Sequence, residues 1–179
     1  MIMLRFISEY EDVPVMSLRG GRRISSTLEP IINPHKLRIE GFYCEDRASG
    51  IDKVLLIEDV REFSDVGLIV DSEDNLMEPA DLVRLEEILD MHYTVHGKRL
   101  VTESGKKLGH VEDFAIDDGS FRIEKIYARP NALKTFSSND YIINRRQIAS
   151  VNMEQVIVKD AVVKRGEKSR RPSLNPLGS

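Results

Sequence analysis

Short apolar runs alternate with polar ones along most of this chain, and turn residues punctuate them. "TLEPIIN" (residues 27–33) passes through "NPHK" into "LRIEGFYC" (37–44), and "HVEDFAI" (110–116) passes through "DDGS" into "FRIEKIYA" (121–128). The alternation predicts half-buried strands, and the Asn, Asp, Pro and Gly between them predict tight turns. Within the second strand, Phe121, Ile123 and Ile126 break strict alternation, which predicts a register shift or bulge near Lys125. Pro30 lacks a ladder donor, so it belongs at an edge or a bulge. Arg38 with Glu40, and Arg122 with Glu124, alternate with the apolar positions and are expected to face solvent as same-face ion pairs.

The two blocks are copies of each other. At an offset of 84 the chain matches itself without gaps from Gly21/Gly105 to Cys44/Ala128, including Ile32/Ile116, Arg38/Arg122, Ile39/Ile123, Glu40/Glu124 and Tyr43/Tyr127. At an offset of 88, "DVREFSDVGLIV" (59–70) matches "QIASVNMEQVIV" (147–158). "PVMSL" and "RLVTE" pair as opening strands. The step from 84 to 88 places a four-residue-longer loop in the second copy, around "RPNALKTFSS". Repetition of this length marks a duplicated structural unit.

Between the copies lies "EPADLVRLEEILDMH". Pro79 suits a first helical turn, Asp81 complements its dipole, and Leu82, Leu85 or Val83, and Leu89 space an apolar stripe. A helical linker of about three turns is expected here. The expected organisation is a first unit over residues 1–77, a linker helix over 78–93, a second unit over 94–163 and a disordered basic tail over 164–179.

The second unit resembles a PRC-barrel domain. "GKRLVTESGKKLGHVEDFAIDDGSFRIEKIYA", followed by "YIINRRQIASVNMEQVIV", places Gly105, Leu108, Gly109, Val111, Asp113, Ile116 and Ile148 at the positions of the family pattern. The first copy diverges, with Ser25 in the place of Gly109, Leu28 in the place of Glu112 and Glu29 in the place of Asp113. The resemblance spans about residues 14–70 and 97–163. It implies a mostly β protein of two tandem small PRC-like β-barrels joined by an α-helix, with each barrel serving as an interaction module. PRC barrels occur in a ribosome-maturation factor, in the H subunit of the photosynthetic reaction centre and in archaeal division-site adaptors. This chain is distantly similar to the first of these, but places a PRC-like barrel where that factor has a different one.

Charge changes the functional picture more than composition does. Residues 1–77 carry a net −6, residues 78–93 a net −4, residues 94–163 a net +2 and residues 164–179 a net +4. Hydrophobic residues make up 41% and no apolar run reaches a membrane-spanning length, so a cytoplasmic protein is expected. The one cysteine, Cys44, excludes an internal disulfide, and its pairing with Ala128 predicts a small buried residue.

No catalytic set, phosphate loop, dinucleotide motif or metal-binding motif stands out, and no cofactor is expected. His92 and His96 have helical metal spacing, but "HYTVHG" carries β-branched residues and Gly, so that spacing is not expected to hold on a helix. Basic pairs are the candidate binding chemistry. Arg22 and Arg23 match Lys106 and Lys107 before the second strand of each copy, Arg145 and Arg146 precede another strand, and the tail supplies Lys164, Arg165, Lys168, Arg170 and Arg171. Such groups recognise anionic partners with strong salt dependence. A non-enzymatic adaptor is expected, in ribosome maturation or another RNA–protein assembly, with a ribosomal protein or RNA as partner. The alternative is a protein–protein adaptor at a membrane-associated or cell-division complex without RNA.

Overall fold

The computed structural model of the chain describes residues 3–131 and 140–160. It is mostly β, with fourteen strands in two seven-stranded sheets and one α-helix among the described residues. The first copy supplies β2 (Pro14–Ser17), β3 (Arg22–Asn33), β4 (Arg38–Cys44), β5 (Lys53–Leu56), β6 (Glu62–Ser64), β7 (Gly67–Val70) and β8 (Leu76–Met77). The second supplies β9 (Arg99–Thr102), β10 (Lys107–Asp117), β11 (Ile123–Pro130), β12 (Tyr141–Asn144), β13 (Ile148–Val151) and β14 (Gln155–Val158).

The duplication is visible strand by strand. One sheet runs β6-β7-β2-β3-β4-β5-β8 and the other runs β13-β14-β9-β10-β11-β12, so the first six strands correspond in order. The parallel pair also repeats: Val15 faces Leu68 in the first half, and Leu100 faces Val156 in the second. The bulge expected near Lys125 is present, because Ala115 pairs with Lys125 while Ile116 pairs with Ile123. Its counterpart occurs at the same place in the first half, where Ile31 pairs with Gly41 and Ile32 with Ile39. Pro30 lies at a register shift between Thr27 and itself, where a missing donor costs no ladder bond.

The seventh strand differs between the halves. In the first sheet it is β8, at the edge beside β5. In the second it is β1 (Leu4–Phe6), which crosses from the start of the chain and pairs with β10, Leu4 facing Asp117 and Phe6 facing Ala115. The Phe6 ring packs on Tyr127 with centroids 5.0 Å apart. Residues placed at the head of the first unit by sequence therefore complete the second sheet.

The linker is helical only in pieces. Pro79–Asp81 and Val83–Leu85 are single 3-10 turns, and the α-helix α1 (Glu86–Met91) is six residues long. Leu82, at φ −91° and ψ 58°, interrupts the run between the two 3-10 turns, so three continuous helical turns do not form. The stripe nevertheless holds: Leu82, Ile88 and Leu89 are buried against Ile31 and Val54, while Val83 is exposed. α1 ends at His92, which adopts a left-handed φ of 44°, so His92 and His96 do not share a helix.

One buried cluster runs through both halves, from Val15, Ile39 and Phe42 to Phe114, Ile123 and Ile143. Tyr10 joins the halves at its centre, with its ring stacked on Phe42 at 5.4 Å and set edge-on to Phe121 at 5.9 Å. Cys44 and Ala128 are both buried, as their pairing predicts. No helix is long and apolar enough to cross a membrane among the described residues.

Candidate functional site

Where β4 and β11 begin, the two halves touch through their equivalent strands. Arg38 and Arg122 face each other in an antiparallel bridge. The Ile39 N–H donates to the Phe121 carbonyl at 2.9 Å, and the Ile123 N–H donates to the Leu37 carbonyl at 2.9 Å. Exchanging the halves maps each bond onto the other, so the duplicated units are related by an approximate two-fold axis through this bridge. Leu37 and Phe121 make the approach possible by adopting left-handed φ values of 46° and 56°.

Arg145 secures the same junction from one side. Its guanidinium donates to the carbonyls of Leu37 at 2.9 Å, Ile123 at 2.9 Å and Lys36 at 2.6 Å. Burial, and then the charge of Arg122, lowers its pKa from the ordinary arginine value, while Glu124 opposes them. Its counterpart in the first half is Ile57, a core residue, so this clasp exists once. Glu40 was expected to face solvent; its side chain is instead only 14% exposed, 3.8 Å from Arg38, and accepts from the Asn33 amide at 2.9 Å. The bulge accounts for the difference, because it turns Glu40 back against the strand pair.

An open groove of about 1200 Å³ lies between the halves. Both copies contribute, through the middle of β3 and the middle of β10, together with the segments that enter each copy and part of α1. Its apolar floor includes Tyr10, Ile32, Phe42, Tyr93, Val95 and Phe114. Its walls carry seven carboxylates, Glu11, Asp12, Glu29, Glu45, Asp52, Glu112 and Asp113, against Arg47 alone among arginines and lysines.

Three of those carboxylates are partly neutralised: Asp12 lies 3.7 Å from Arg23, Glu45 3.0 Å from Arg47 and Glu112 2.6 Å from Arg129. Glu11, Glu29, Asp52 and Asp113 have no ion-pair partner among the described residues. Among the described residues, Asp113 accepts only from the Ser8 hydroxyl at 3.1 Å and its own following amide at 2.8 Å.

Glu29 and Asp113 are equivalent in the repeat, as are the neighbouring Tyr43 and Tyr127. Burial raises both tyrosine pKa values, and Glu29 raises Tyr43 further as Asp113 raises Tyr127. The same electrostatic pair thus occurs in both halves, with Tyr43 but not Tyr127 lining the groove. The Tyr10 and Tyr93 rings line the groove, while their hydroxyls are buried without a hydrogen-bond partner among the described residues. Burial pushes Tyr93 up to about 12.

The basic pairs do not come together. Arg22 and Arg23 open β3, and Lys106 and Lys107 stand at the corresponding entry to β10, each pair on its own half. Arg22 is paired with Glu73 and Arg23 with Asp12. Lys106 and Lys107 are exposed and take part in no ion pair among the described residues. Arg146 is exposed, whereas its neighbour Arg145 is committed to the junction. Lys164, Arg165, Lys168, Arg170 and Arg171 lie outside the described residues, as does most of the longer loop expected of the second copy.

The groove was not anticipated from sequence, because its lining comes from five separated stretches. The one signal for it was the repeat itself, which puts an acidic residue at position 29 and again at position 113. No cluster of three or more His, Cys, Asp or Glu suited to hold a metal occurs among the described residues. No protein-family model matches the chain, and no curated protein matches it either.

Proposed function

We propose that this protein is a non-enzymatic, cytoplasmic adaptor made of two PRC-like barrels, whose junction groove receives a cationic, extended segment of a protein partner. The observation that supports this is the pairing of an apolar floor with walls on which four carboxylates stand without a cation among the described residues. A lysine- or arginine-rich strand supplies those cations and lays its aliphatic stems on the floor. An RNA phosphate backbone brings the same sign of charge as the walls and is repelled.

Of the two expected readings, protein–protein adaptation is therefore favoured over RNA binding. A basic ribosomal protein has the chemistry required of the partner, so a role in ribosome maturation is kept in that form. Individual exposed ion pairs contribute about 0.2–1 kcal/mol, so affinity arises from several together with the apolar floor, and it falls with salt.

The test is affinity capture from native lysate at low salt, using the full chain and a variant carrying Glu29→Gln, Asp52→Asn and Asp113→Asn. A basic protein that survives ribonuclease treatment and is lost from the variant supports the proposal. Partners that are retained by the variant but released by ribonuclease overturn it.

A further inference from the structure

The two arginines that meet at the junction occupy one position of the repeat, in the tripeptide Arg-Ile-Glu of each copy (38–40 and 122–124). They form a non-hydrogen-bonded antiparallel pair, because the flanking bonds run from Ile39 to Phe121 and from Ile123 to Leu37. In such a pair the Cα atoms stand about 4.5 Å apart and the side chains leave side by side. Ile39 and Ile123 are buried, so the two guanidiniums leave on the opposite face, where Arg122 is exposed.

Further cations gather there. Arg145 bonds the Leu37 and Ile123 carbonyls beside the bridge, and burial followed by the charge of Arg122 lowers its pKa. Lys36 adds a fourth cation, its carbonyl held by Arg145. Carboxylates answer part of this charge. Glu40 lies 3.8 Å from Arg38 and 3.8 Å from Lys36 and also accepts from the Asn33 amide, so one group is divided among three donors. Glu124 is felt by Arg145, but neither it nor Arg122 forms an ion pair among the described residues. Asp117, whose amide bonds the Arg122 carbonyl, directs its carboxylate to the Ser120 hydroxyl at 2.6 Å. None of these side chains lines the groove, so this cluster stands apart from the site described above.

We propose that this outer face of the junction is an anion site that takes the phosphate group of a small soluble ligand. Arg38 and Arg122 present planar forks of N–H donors, which match a phosphate in two-pronged fashion as lysines cannot. Arg145 is committed to carbonyls and contributes charge alone. A dianion between the forks relieves the repulsion across the bridge. Because each half supplies one arginine, the ligand also fastens the halves together, and bound ligand adds to the stability of the fold.

The test titrates the isotopically labelled full chain with inorganic phosphate and with glycerol phosphate, following arginine Nε–H signals in about 50 mM chloride. The expected result is saturable shifts at Arg38 and Arg122, with a dissociation constant of about 1 mM or tighter, and a urea midpoint that rises with phosphate. Arg122→Gln is expected to bind about tenfold or more weakly, with Arg122→Lys in between. The Lys106→Ala/Lys107→Ala and Glu29→Gln/Asp52→Asn/Asp113→Asn variants are expected to bind as the full chain does. Tighter binding of glycerol phosphate assigns the site to phosphate esters and equal binding assigns it to free phosphate, and either supports the proposal. Shifts that rise without saturating, that survive Arg122→Gln, or that fall equally in the lysine variant mean an adventitious ion only and overturn it. If Arg122→Gln loses the fold, Arg122→Lys decides, weaker binding supporting the proposal and unchanged binding overturning it.

Discussion

Arg38 and Arg122, the same position in two copies of one unit, stand directly opposite each other across an antiparallel bridge. Two like charges facing across a strand pair are unfavourable unless diverted. Arg38 is diverted, with its guanidinium 3.8 Å from Glu40 and its Nε donating to the Ser120 carbonyl at 3.2 Å. The bridge, together with the shared core around Tyr10, couples the halves into one folding unit. Unfolding in urea is expected to give a single transition, with coincident curves from far-UV circular dichroism and tyrosine fluorescence. Two resolved transitions contradict that coupling.

Arg145 ties the junction together, because one charged donor serves three backbone carbonyls, those of Leu37 and Ile123 part-buried and that of Lys36 exposed. Replacing it removes a charged donor from all three, and of them the Leu37 carbonyl keeps the Ile123 N–H. Arg145→Ala is expected to cost about 2–4 kcal/mol in urea denaturation, and Arg145→Lys to recover less than half, since one ammonium does not span the three acceptors. A loss below about 0.5 kcal/mol sinks this assignment.

Gly109 and Ser25 occupy the same place in the repeat, yet they are not exchangeable. A Cβ at Gly109 lies 1.9 Å from the Arg129 carbonyl oxygen, a backbone atom that has no room to retreat. At Ser25 the strands have separated enough for the hydroxyl to donate to the equivalent Glu45 carbonyl at 2.6 Å. Gly109→Ser is therefore expected to destabilise the protein by about 2 kcal/mol or more, while Ser25→Gly costs about 1 kcal/mol, mainly one hydrogen bond. Equal effects at the two sites contradict the stated difference in strand separation.

These residues also show what could be read from the chain and what could not. Strand positions, the turns at 34–36 and 118–120, the bulge near Lys125 and the burial of Cys44 all follow from local alternation and the repeat. The two-fold junction does not, because left-handed Leu37 and Phe121 carry no glycine to announce them. β1 escaped because its partner, β10, lies more than 100 residues away in sequence. Leu82's conformation broke a stripe whose spacing alone reads as one helix. Basic pairs were legible as letters, but their neutralisation by Glu73 and Asp12 belongs to tertiary structure.

Alkaline pH is expected to weaken the fold. Burial pushes Cys44 from 9.0 up to about 12 and Tyr93 from 10.0 up to about 12. The folded chain keeps these protons where the unfolded chain loses them. Their contribution is therefore complete below pH 9, and it declines as pH rises from 9 through 12. The urea midpoint should fall between pH 8 and 10.5, and Cys44→Ala should fall less steeply. A thiol reagent at pH 8 should label Cys44 only on unfolding; rapid labelling of the native protein contradicts its burial.

The groove is the central claim, and a direct titration tests it. A fluorescein-labelled peptide of alternating lysine and apolar residues, and a single-stranded RNA of similar length, would each be titrated into three proteins at about 50 mM salt. The proteins are the full chain, the Glu29→Gln/Asp52→Asn/Asp113→Asn variant and a Lys106→Ala/Lys107→Ala variant. The account predicts micromolar binding of the peptide, roughly tenfold weaker in the groove variant and unchanged in the hairpin variant, with RNA bound far more weakly. RNA binding tighter than peptide binding, lost with Lys106 and Lys107 and indifferent to Glu29 and Asp113, would contradict it.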